Sequence, residues 1–166
     1  EPNTFNLDQF NNKLNIQCHY NTTGPEILEQ LNGKIPDVLI SGSGTGGTIM
    51  GVGKRLKELN KYLKIVIIEP AESNVMSGGK PGVHDIQGIG DGSKYLVDME
   101  MIDEIIQIKS KDAIEKAKEL GKNGYYVGIS AAANILAAEE YDKKNPNKTI
   151  ITFFCDRGDR YLSMFN

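Results

Sequence analysis

The chain has 166 residues and a net charge of −3, with 39% hydrophobic and 25% charged residues. These proportions are typical of a globular domain, and no apolar run reaches the roughly 18 residues that a membrane span needs. Lysine and arginine are scattered along the chain, which argues against a nucleic-acid partner. The composition therefore favours a globular domain that acts away from membranes and nucleic acids.

Cysteine and histidine residues are few. Cys18 and Cys155 lie far apart and form no CxxC motif, so we expect two free thiols in a reducing, cytoplasmic compartment. Cys18 and His19 are adjacent, but neighbouring residues of a strand point to opposite faces. We therefore interpret this pair as a strand end near the surface, and we predict no metal site.

Strands and helices are predicted in alternation along the chain. A helix begins at 22–26, where Thr, Pro and Glu favour a helix start, and it ends before Gly33. Apolar spacing predicts further helices over 48–59, 110–121 and 130–141. Apolar, β-branched and aromatic runs predict strands over 36–42, 64–69, 103–109, 125–127 and 149–155. The stretch 71–101 is rich in Gly, Ser and Asp, and its length is typical of a functional loop.

This alternation predicts an α/β fold, in which helices cover both faces of a mainly parallel sheet to make three layers, αβα. In such sheets ligands bind beyond the carboxyl ends of the strands. We therefore expect the functional site to combine segments 42–48, 128–131 and 155–158, because each of them follows a predicted strand.

A glycine-rich loop, Gly-Ser-Gly-Thr-Gly-Gly-Thr over 42–48, joins the first strand to the next helix. Glycines let the backbone turn tightly and direct N–H groups at one point, and the helix N-terminus adds partial positive charge. The hydroxyl groups of Thr45 and Thr48 are additional donors. The loop therefore predicts an anion site suited to a phosphate, although glycines can also serve only a tight turn.

Two other interpretations of this loop stay open on the pattern alone. Gly42, Gly44 and Gly47 satisfy GxGxxG, and Glu69 ends the next strand, as in an NAD-dependent oxidoreductase with a Rossmann-type loop. A non-catalytic α/β module that binds a phosphate ligand through the loop is the other alternative. A Walker loop is excluded, since no lysine follows the last glycine before Thr48.

Several stretches carry a resemblance to a known family, in the family's order. The chain resembles cysteine synthase, the O-acetylserine sulfhydrylase branch of fold-type II pyridoxal-phosphate enzymes. The matching stretches are Gln9–Phe10 with His19–Ile27, Gly44–Val52, Lys80–Gly90, Gly128–Ser130 and Cys155–Ser163. The last stretch is similar to the version typical of the B isozyme. The resemblance covers nearly the whole chain.

The resemblance implies pyridoxal 5′-phosphate as the cofactor. Its phosphate would be bound by Gly44, Thr45, Gly46, Gly47 and Thr48. Ser130 would face the pyridine nitrogen, where a neutral hydroxyl suits β-elimination and replacement better than transamination. Cys155 would lie near the same ring edge, or is simply a small apolar residue at a strand end. The amino-acid substrate would approach the backbone at Gly88, Ile89 and Gly90.

The resemblance is incomplete in one region. Family members bind the cofactor as a Schiff base through a lysine and grip the substrate carboxylate with a separate loop, and both precede the region matched here. No lysine of this chain has a comparable context, so no catalytic residue is assigned. The usual Ser-Gly-Ala after Ser130 is replaced by Ala131–Ala133. We therefore expect residues 1–166 to be the C-terminal, large-domain portion of a two-domain enzyme, without its N-terminal small domain.

The same resemblance implies the activity of the parent enzyme. It would make L-cysteine from O-acetyl-L-serine and sulfide by β-replacement, as a cytoplasmic homodimer. Cystathionine β-synthase and O-phosphoserine sulfhydrylase share these motifs. We expect the 166-residue chain alone to be inactive.

Overall fold

The computed structural model describes residues 3–165, and four strands in this part form one parallel sheet. The strands are β1 (Val38–Gly42), β2 (Lys64–Pro70), β3 (Glu104–Ile108) and β4 (Ile150–Ile151). Their spatial order is β3-β2-β1-β4. Ile40 lies opposite Val66, and Val66 lies opposite Glu104, so the three longer strands pair in continuous register.

Five α-helices connect and cover these strands in the described part of the chain. They are α1 (Leu14–Asn21), α2 (Thr23–Gln30), α3 (Gly47–Lys57), α4 (Ser110–Lys122) and α5 (Ile129–Lys144), with 3₁₀ turns at Met99–Met101 and Gly158–Met164. The helices predicted from the sequence therefore form close to their expected bounds. α4 continues through Gly121, where the sequence predicted its end, and Gly124 adopts a positive φ of 90° just beyond it.

Alternate residues of the strands enter two apolar clusters on opposite faces of the sheet. On one face, Ile40 and Ile68 pack with residues of α4 and α5 such as Ala113. On the other face, Leu39 and Ile67 pack with α3. Since both faces are covered, the strands are apolar at consecutive positions rather than at alternate ones. The three-layer α/β fold predicted from the sequence is confirmed.

Two predicted strands are wrong in extent. The run 149–155 forms a ladder only at Ile150–Ile151, because β4 pairs with β1 on one side and only at Val38 and Leu39. Residues 125–127 form no strand, and Val127 makes a single antiparallel bridge to Arg157. Both runs have β-forming composition, but too few partner strands lie beside them to extend a ladder.

The interpretation of Cys18 and His19 as a strand end is also wrong, because both lie in α1. None of its residues is fully buried, and it lacks the apolar stripe by which a helix is recognised in a sequence. It is held against α3 by close backbone approach instead. A Cβ at Gly51 of α3 would lie 2.7 Å from the His19 Cβ and 2.8 Å from the Tyr20 nitrogen.

The long stretch 71–101 is largely irregular, as predicted, and a buried acid organises its beginning. Glu69, with 0% exposure, ends β2 and accepts hydrogen bonds from the Met76 N–H at 2.8 Å and the Ser77 N–H at 3.2 Å. It also accepts from the Ser77 hydroxyl and from Gln107. Among the helices of residues 3–165, none is long and apolar enough to cross a membrane.

Candidate functional site

The strand order places a crevice at the carboxyl edge of the sheet. From β1 the chain proceeds to β2 and β3 on one side, and it returns to β4 on the other side of β1. Loops that leave neighbouring strands in opposite directions open a crevice, which is where parallel α/β sheets bind ligands. A cavity of about 870 Å³ opens there, within the size range of small-molecule sites.

The glycine-rich loop forms one wall of this cavity and leads into α3. Gly46 has a φ of 88°, which lets the backbone turn into the helix at Gly47. The Thr45 hydroxyl oxygen accepts hydrogen bonds from the Gly47 N–H and from the Asn15 amide, each at 3.1 Å. Because both lone pairs of this oxygen are used, its proton is free to be donated to a ligand.

His19 stands behind the same loop and joins three helices. Its Nδ1 lies 2.9 Å from the Thr23 hydroxyl of α2, and its Nε2 lies 3.2 Å from the Thr48 hydroxyl of α3. Burial lowers the pKa of His19 below its usual 6.5, which favours the neutral imidazole. With the proton on Nε2, His19 donates to Thr48 and leaves the Thr48 hydroxyl proton free for a ligand.

The opposite wall combines the start of α5 with the segment after β4. Ser130 lies in the first turn of α5 and is 5% exposed, and Cys155 faces the open cavity. Desolvation by the surrounding protein and the negative charge of Asp156 raise the pKa of Cys155, so the thiol is neutral near pH 7. Asp156 accepts a 2.5 Å hydrogen bond from the Tyr161 hydroxyl.

The stretch 88–90 packs directly on the glycine-rich loop. The Gly90 N–H donates to the Ser43 carbonyl at 3.1 Å. A Cβ at Gly44 would lie 2.5 Å from the Gly88 carbonyl oxygen, so the two backbones approach more closely than any other residue at position 44 allows. A Cβ at Gly42 would lie 2.7 Å from the Ile89 side chain. The two loops thus form one continuous wall.

The structure brings most of the predicted site residues into this cavity. Those that line it are Gly44, Thr45, Gly46, Thr48, Ser130, Cys155, Gly88 and Ile89. Gly47 does not line the cavity, because Asn15 packs against it from behind. Gly90 does not line it either, since it packs on Pro70, and its carbonyl accepts a hydrogen bond from Ser73.

Other residues of the cavity were not predicted as site residues. Gln9, Phe10, His19, Asp91, Asp156 and Tyr161 also line it. His19 was missed because α1 was not recognised as a helix. Its contact with Thr23 depends on the angle between α1 and α2, which meet at Thr22, and helical spacing does not predict that angle. Asp156 falls within the segment 155–158 that was expected in the site, although it was not assigned a role. Gln9, Phe10 and Asp91 come from irregular segments and Tyr161 from a 3₁₀ turn, for which the sequence offers no periodic signal.

The charges in the cavity wall are few. Arg160 is the only arginine and no lysine is present among the lining residues of the described chain. Within residues 3–165, no group of three His, Cys, Asp or Glu side chains is arranged to bind a metal ion. An anion at the glycine-rich loop would therefore be bound mainly by neutral donors and the N-terminus of α3.

The geometry argues against the NAD-dependent interpretation of the loop. A dinucleotide site requires an acidic side chain that reaches the ribose hydroxyl groups. Glu69, the candidate for that role, does not line the cavity. Its carboxylate is fully buried and is bound by donors of the 76–77 segment.

The fold and the cavity define the class of the protein: an α/β protein with a glycine-rich loop at the switch point of a parallel sheet. Comparison with known proteins gives the family. The family model described as "Pyridoxal-phosphate dependent enzyme" matches residues 1–156, and the chain belongs to this family.

Individual relatives are cysteine synthases and related enzymes. Cysteine synthase B of Campylobacter jejuni is 45% identical over 163 residues, which is 98% of this chain and 54% of the relative. The solved O-acetyl serine sulfhydrylase isoform 3 from Entamoeba histolytica matches with a TM-score of 0.89 and 43% identity, over 96% of this chain and 48% of that one. A hydrogen sulfide-producing enzyme from Fusobacterium nucleatum matches with a TM-score of 0.91 and 40% identity, over 98% and 56%. The chain thus spans about half the length of the relatives it matches.

Proposed function

We propose that this chain forms the cofactor- and substrate-binding part of a cysteine synthase, which makes L-cysteine from O-acetyl-L-serine and sulfide by β-replacement. One observation carries the proposal: the glycine-rich loop, Ser130, Cys155 and the 88–90 stretch line or frame one cavity at the sheet's switch point. The similarity to cysteine synthases over nearly the whole chain supports it.

The residues present fit pyridoxal 5′-phosphate. The glycine-rich loop lines the cavity and leads into the N-terminus of α3, a combination whose backbone N–H groups suit an anion. Two further atoms in the cavity wall, Ser43 Oγ and Asp156 Oδ1, are buried without a hydrogen-bond partner among residues 3–165. A bound polar group brings new donors and acceptors to such a wall.

The phosphate end of the cofactor is assigned to the glycine-rich loop. The binding residues are Gly44, Thr45, Gly46, Gly47 and Thr48. Thr45 and Thr48 each have a hydroxyl proton to donate, the first because its lone pairs are used and the second through the Nε2–H tautomer of His19. Gly47 acts from behind the wall, where its N–H holds the Thr45 hydroxyl in place.

The ring end is assigned to Ser130 and Cys155. When bound, pyridoxal phosphate supplies an electron-withdrawing ring that stabilises negative charge at the substrate's α-carbon. Ser130 offers a hydroxyl to the pyridine nitrogen, and a hydroxyl does not protonate that nitrogen as a carboxylic acid can. Cys155 is a neutral thiol beside it, so neither of the two side chains assigned to the ring adds a charge.

Gly88, Ile89 and Gly90 are assigned to the amino-acid substrate. Gly88 and Gly90 have φ values of 87° and 73°, a backbone conformation that glycine adopts without strain. The stretch keeps its place through the hydrogen bond of Gly90 to Ser43. A substrate on this wall is therefore positioned relative to the phosphate loop by main-chain contacts.

The covalent and proton-transfer steps of the reaction are assigned to a lysine. No lysine of residues 3–165 lines the cavity. Residues 1–166 would then be the large-domain portion of a two-domain, fold-type II enzyme, in which the lysine belongs to the small domain. On this proposal the 166-residue chain binds the cofactor but does not turn over substrate.

The proposal also covers the cellular compartment and the oligomeric state of the parent enzyme. The free, exposed thiols of Cys18 and Cys155 support a reducing compartment, the cytoplasm. A homodimer is proposed for the parent enzyme from the family resemblance. The exposed rings of Tyr125 and Phe154, with centroids 6.3 Å apart, are apolar surface that an assembly could cover.

The proposal is tested by equilibrium dialysis of the purified chain against pyridoxal phosphate, pyridoxal and NAD. We expect pyridoxal phosphate to bind about tenfold or more tightly than pyridoxal, because hydrogen bonds to a charged group contribute about 1.5–3 kcal/mol. Tight NAD binding without binding of pyridoxal phosphate would contradict the proposal. Cysteine formation by the chain alone would contradict the assignment of the lysine.

A further inference from the structure

Asn134 is a buried polar residue to which the proposed function assigns no role. It lies on α5, one turn after Ser130, and is 1% exposed. Burying an amide is unfavourable unless its hydrogen bonds are made, so its partners indicate why the position is polar. The other buried residues of α5 are four alanines with Ile129, Ser130 and Tyr141.

The Asn134 amide joins two strand ends that do not pair with each other. Its Oδ1 accepts from the Gly42 N–H at 2.8 Å, and its Nδ2 donates to the Phe153 carbonyl at 2.8 Å. The Nδ2 also lies 3.7 Å from the Cys155 sulfur. Both distances to the backbone are typical of well-formed hydrogen bonds.

These contacts lie where the sheet opens. The β1–β4 ladder ends at the pair Leu39 and Ile151, three residues before Gly42. Alternate residues of a strand direct their N–H groups to the same side. The Val38 N–H donates across to Thr149 in the direction of β4, and the Gly42 N–H points the same way but meets Asn134 instead. The side chain thus bridges β1 and the post-β4 segment after they have diverged.

We infer that Asn134 is a positioning residue that sets the separation between the two ends of the cofactor site. Gly42 precedes Gly44 by two residues, and Phe153 precedes Cys155 by two. Ser130 is on the same helix. One amide therefore fixes the phosphate loop relative to the ring end, and this inference rests on the proposed function described above.

Asparagine suits this role because its amide offers an acceptor and donors in one plane. Alanine at this position leaves the Gly42 N–H and the Phe153 carbonyl buried without partners. Aspartate keeps an acceptor for Gly42 but directs a second acceptor at the Phe153 carbonyl. Protonation of that aspartate restores a donor, so its effect depends on pH.

The experiment measures binding of three probes to the 166-residue chain by equilibrium dialysis: pyridoxal phosphate, pyridoxal and inorganic phosphate. If Asn134 sets the separation, Asn134→Ala weakens the binding of pyridoxal phosphate about tenfold. The affinities for pyridoxal and for inorganic phosphate, which each occupy only one end of the site, change less than about twofold. Leu63→Ala is the matched control, since Leu63 is equally buried but precedes β2 at the opposite edge of the sheet. The control is expected to lower thermal stability without changing the ratio among the probes.

Asn134→Asp keeps the inference testable if the alanine variant does not fold. We expect its affinity for pyridoxal phosphate, relative to wild type at each pH, to recover as the pH falls from 8 to 5.5. Unchanged binding in the variants, or an equal loss for all three probes, would overturn the inference while leaving the proposed function intact. If wild type itself does not bind pyridoxal phosphate, the proposed function fails, and the inference fails with it.

Discussion

The two walls of the cavity are built in different ways. The loop wall, residues 42–48 with 88–90, consists of two backbone stretches in direct contact, and glycine is required where they meet. The helix wall, Ser130 with Cys155 and Asp156, is brought together by side chains from different elements. At Gly42 and Gly44 the loop wall therefore has no space for a Cβ atom, whereas the helix wall should weaken gradually as single hydrogen bonds are removed.

The largest expected effect is at the loop wall. Gly44→Ala places a Cβ 2.5 Å from the Gly88 carbonyl oxygen, and a backbone atom cannot move aside without shifting the 88–90 stretch. We expect binding of pyridoxal phosphate to weaken at least about 100-fold, or about 2.7 kcal/mol, measured by equilibrium dialysis. Gly121→Ala is the control, because its Cβ meets nothing closer than Tyr126 at 3.7 Å. A change of less than threefold in Gly44→Ala would remove the contrast between the walls.

Ser130→Ala tests the helix wall and should have a smaller effect. Loss of one neutral hydrogen bond of about 0.5–1.5 kcal/mol predicts roughly fivefold weaker binding of pyridoxal phosphate. Pyridoxal should weaken by the same factor, and inorganic phosphate should be unaffected, since Ser130 is assigned to the ring end. Ser163→Ala, at an exposed position, is the control. If only the binding of inorganic phosphate weakened, the assignment of Ser130 to the ring end of the cavity would be wrong.

We expect the half-buried His19, which lies behind the loop wall, to make the stability of the folded chain depend on pH. Burial lowers the pKa of His19 in the folded chain, so folding favours the neutral ring. This contribution is fully present above about pH 6.5 and is lost as the pH falls through the lowered value. Below pH 6.5, the Tm of the wild type should therefore decrease more steeply with falling pH than the Tm of His19→Gln. The difference between the two should be less than about 3 °C. Parallel curves for the two proteins would show that His19 does not titrate in this way.

The smallest effect is expected at Tyr161. Burial and the hydrogen bond to Asp156 raise the pKa of Tyr161 to about 12. Since the folded state holds this proton more tightly, the stabilisation is present below about pH 10 and is lost between pH 10 and 12. Burial also raises the pKa of Tyr141, so the assignment rests on the variants: an ionisation near pH 12 in ultraviolet titration should be lost in Tyr161→Phe and retained in Tyr62→Phe. Titration of all tyrosines near pH 10 would contradict the buried contact.

Much of the fold could be predicted because its signals are local. The runs at 36–42 and 64–69 are apolar at consecutive positions, and the glycine-rich loop between the first strand and α3 is contiguous. The predictions failed where partners decide the outcome. The run 149–155 has strand composition but only two paired residues, and α1 forms without an apolar stripe because glycine lets α3 approach it.

The sequence by itself determined the layer order, the glycine-rich loop and the position of the site at the carboxyl edge of the sheet. These follow from periodicity and from backbone chemistry, which act between neighbours in the chain. Only the tertiary structure decided that Glu69 is buried away from the cavity, that His19 stands behind Thr48, and that Asn134 bridges two diverging strands. Each of these depends on contacts between residues far apart in sequence, and no local pattern encodes where such side chains meet.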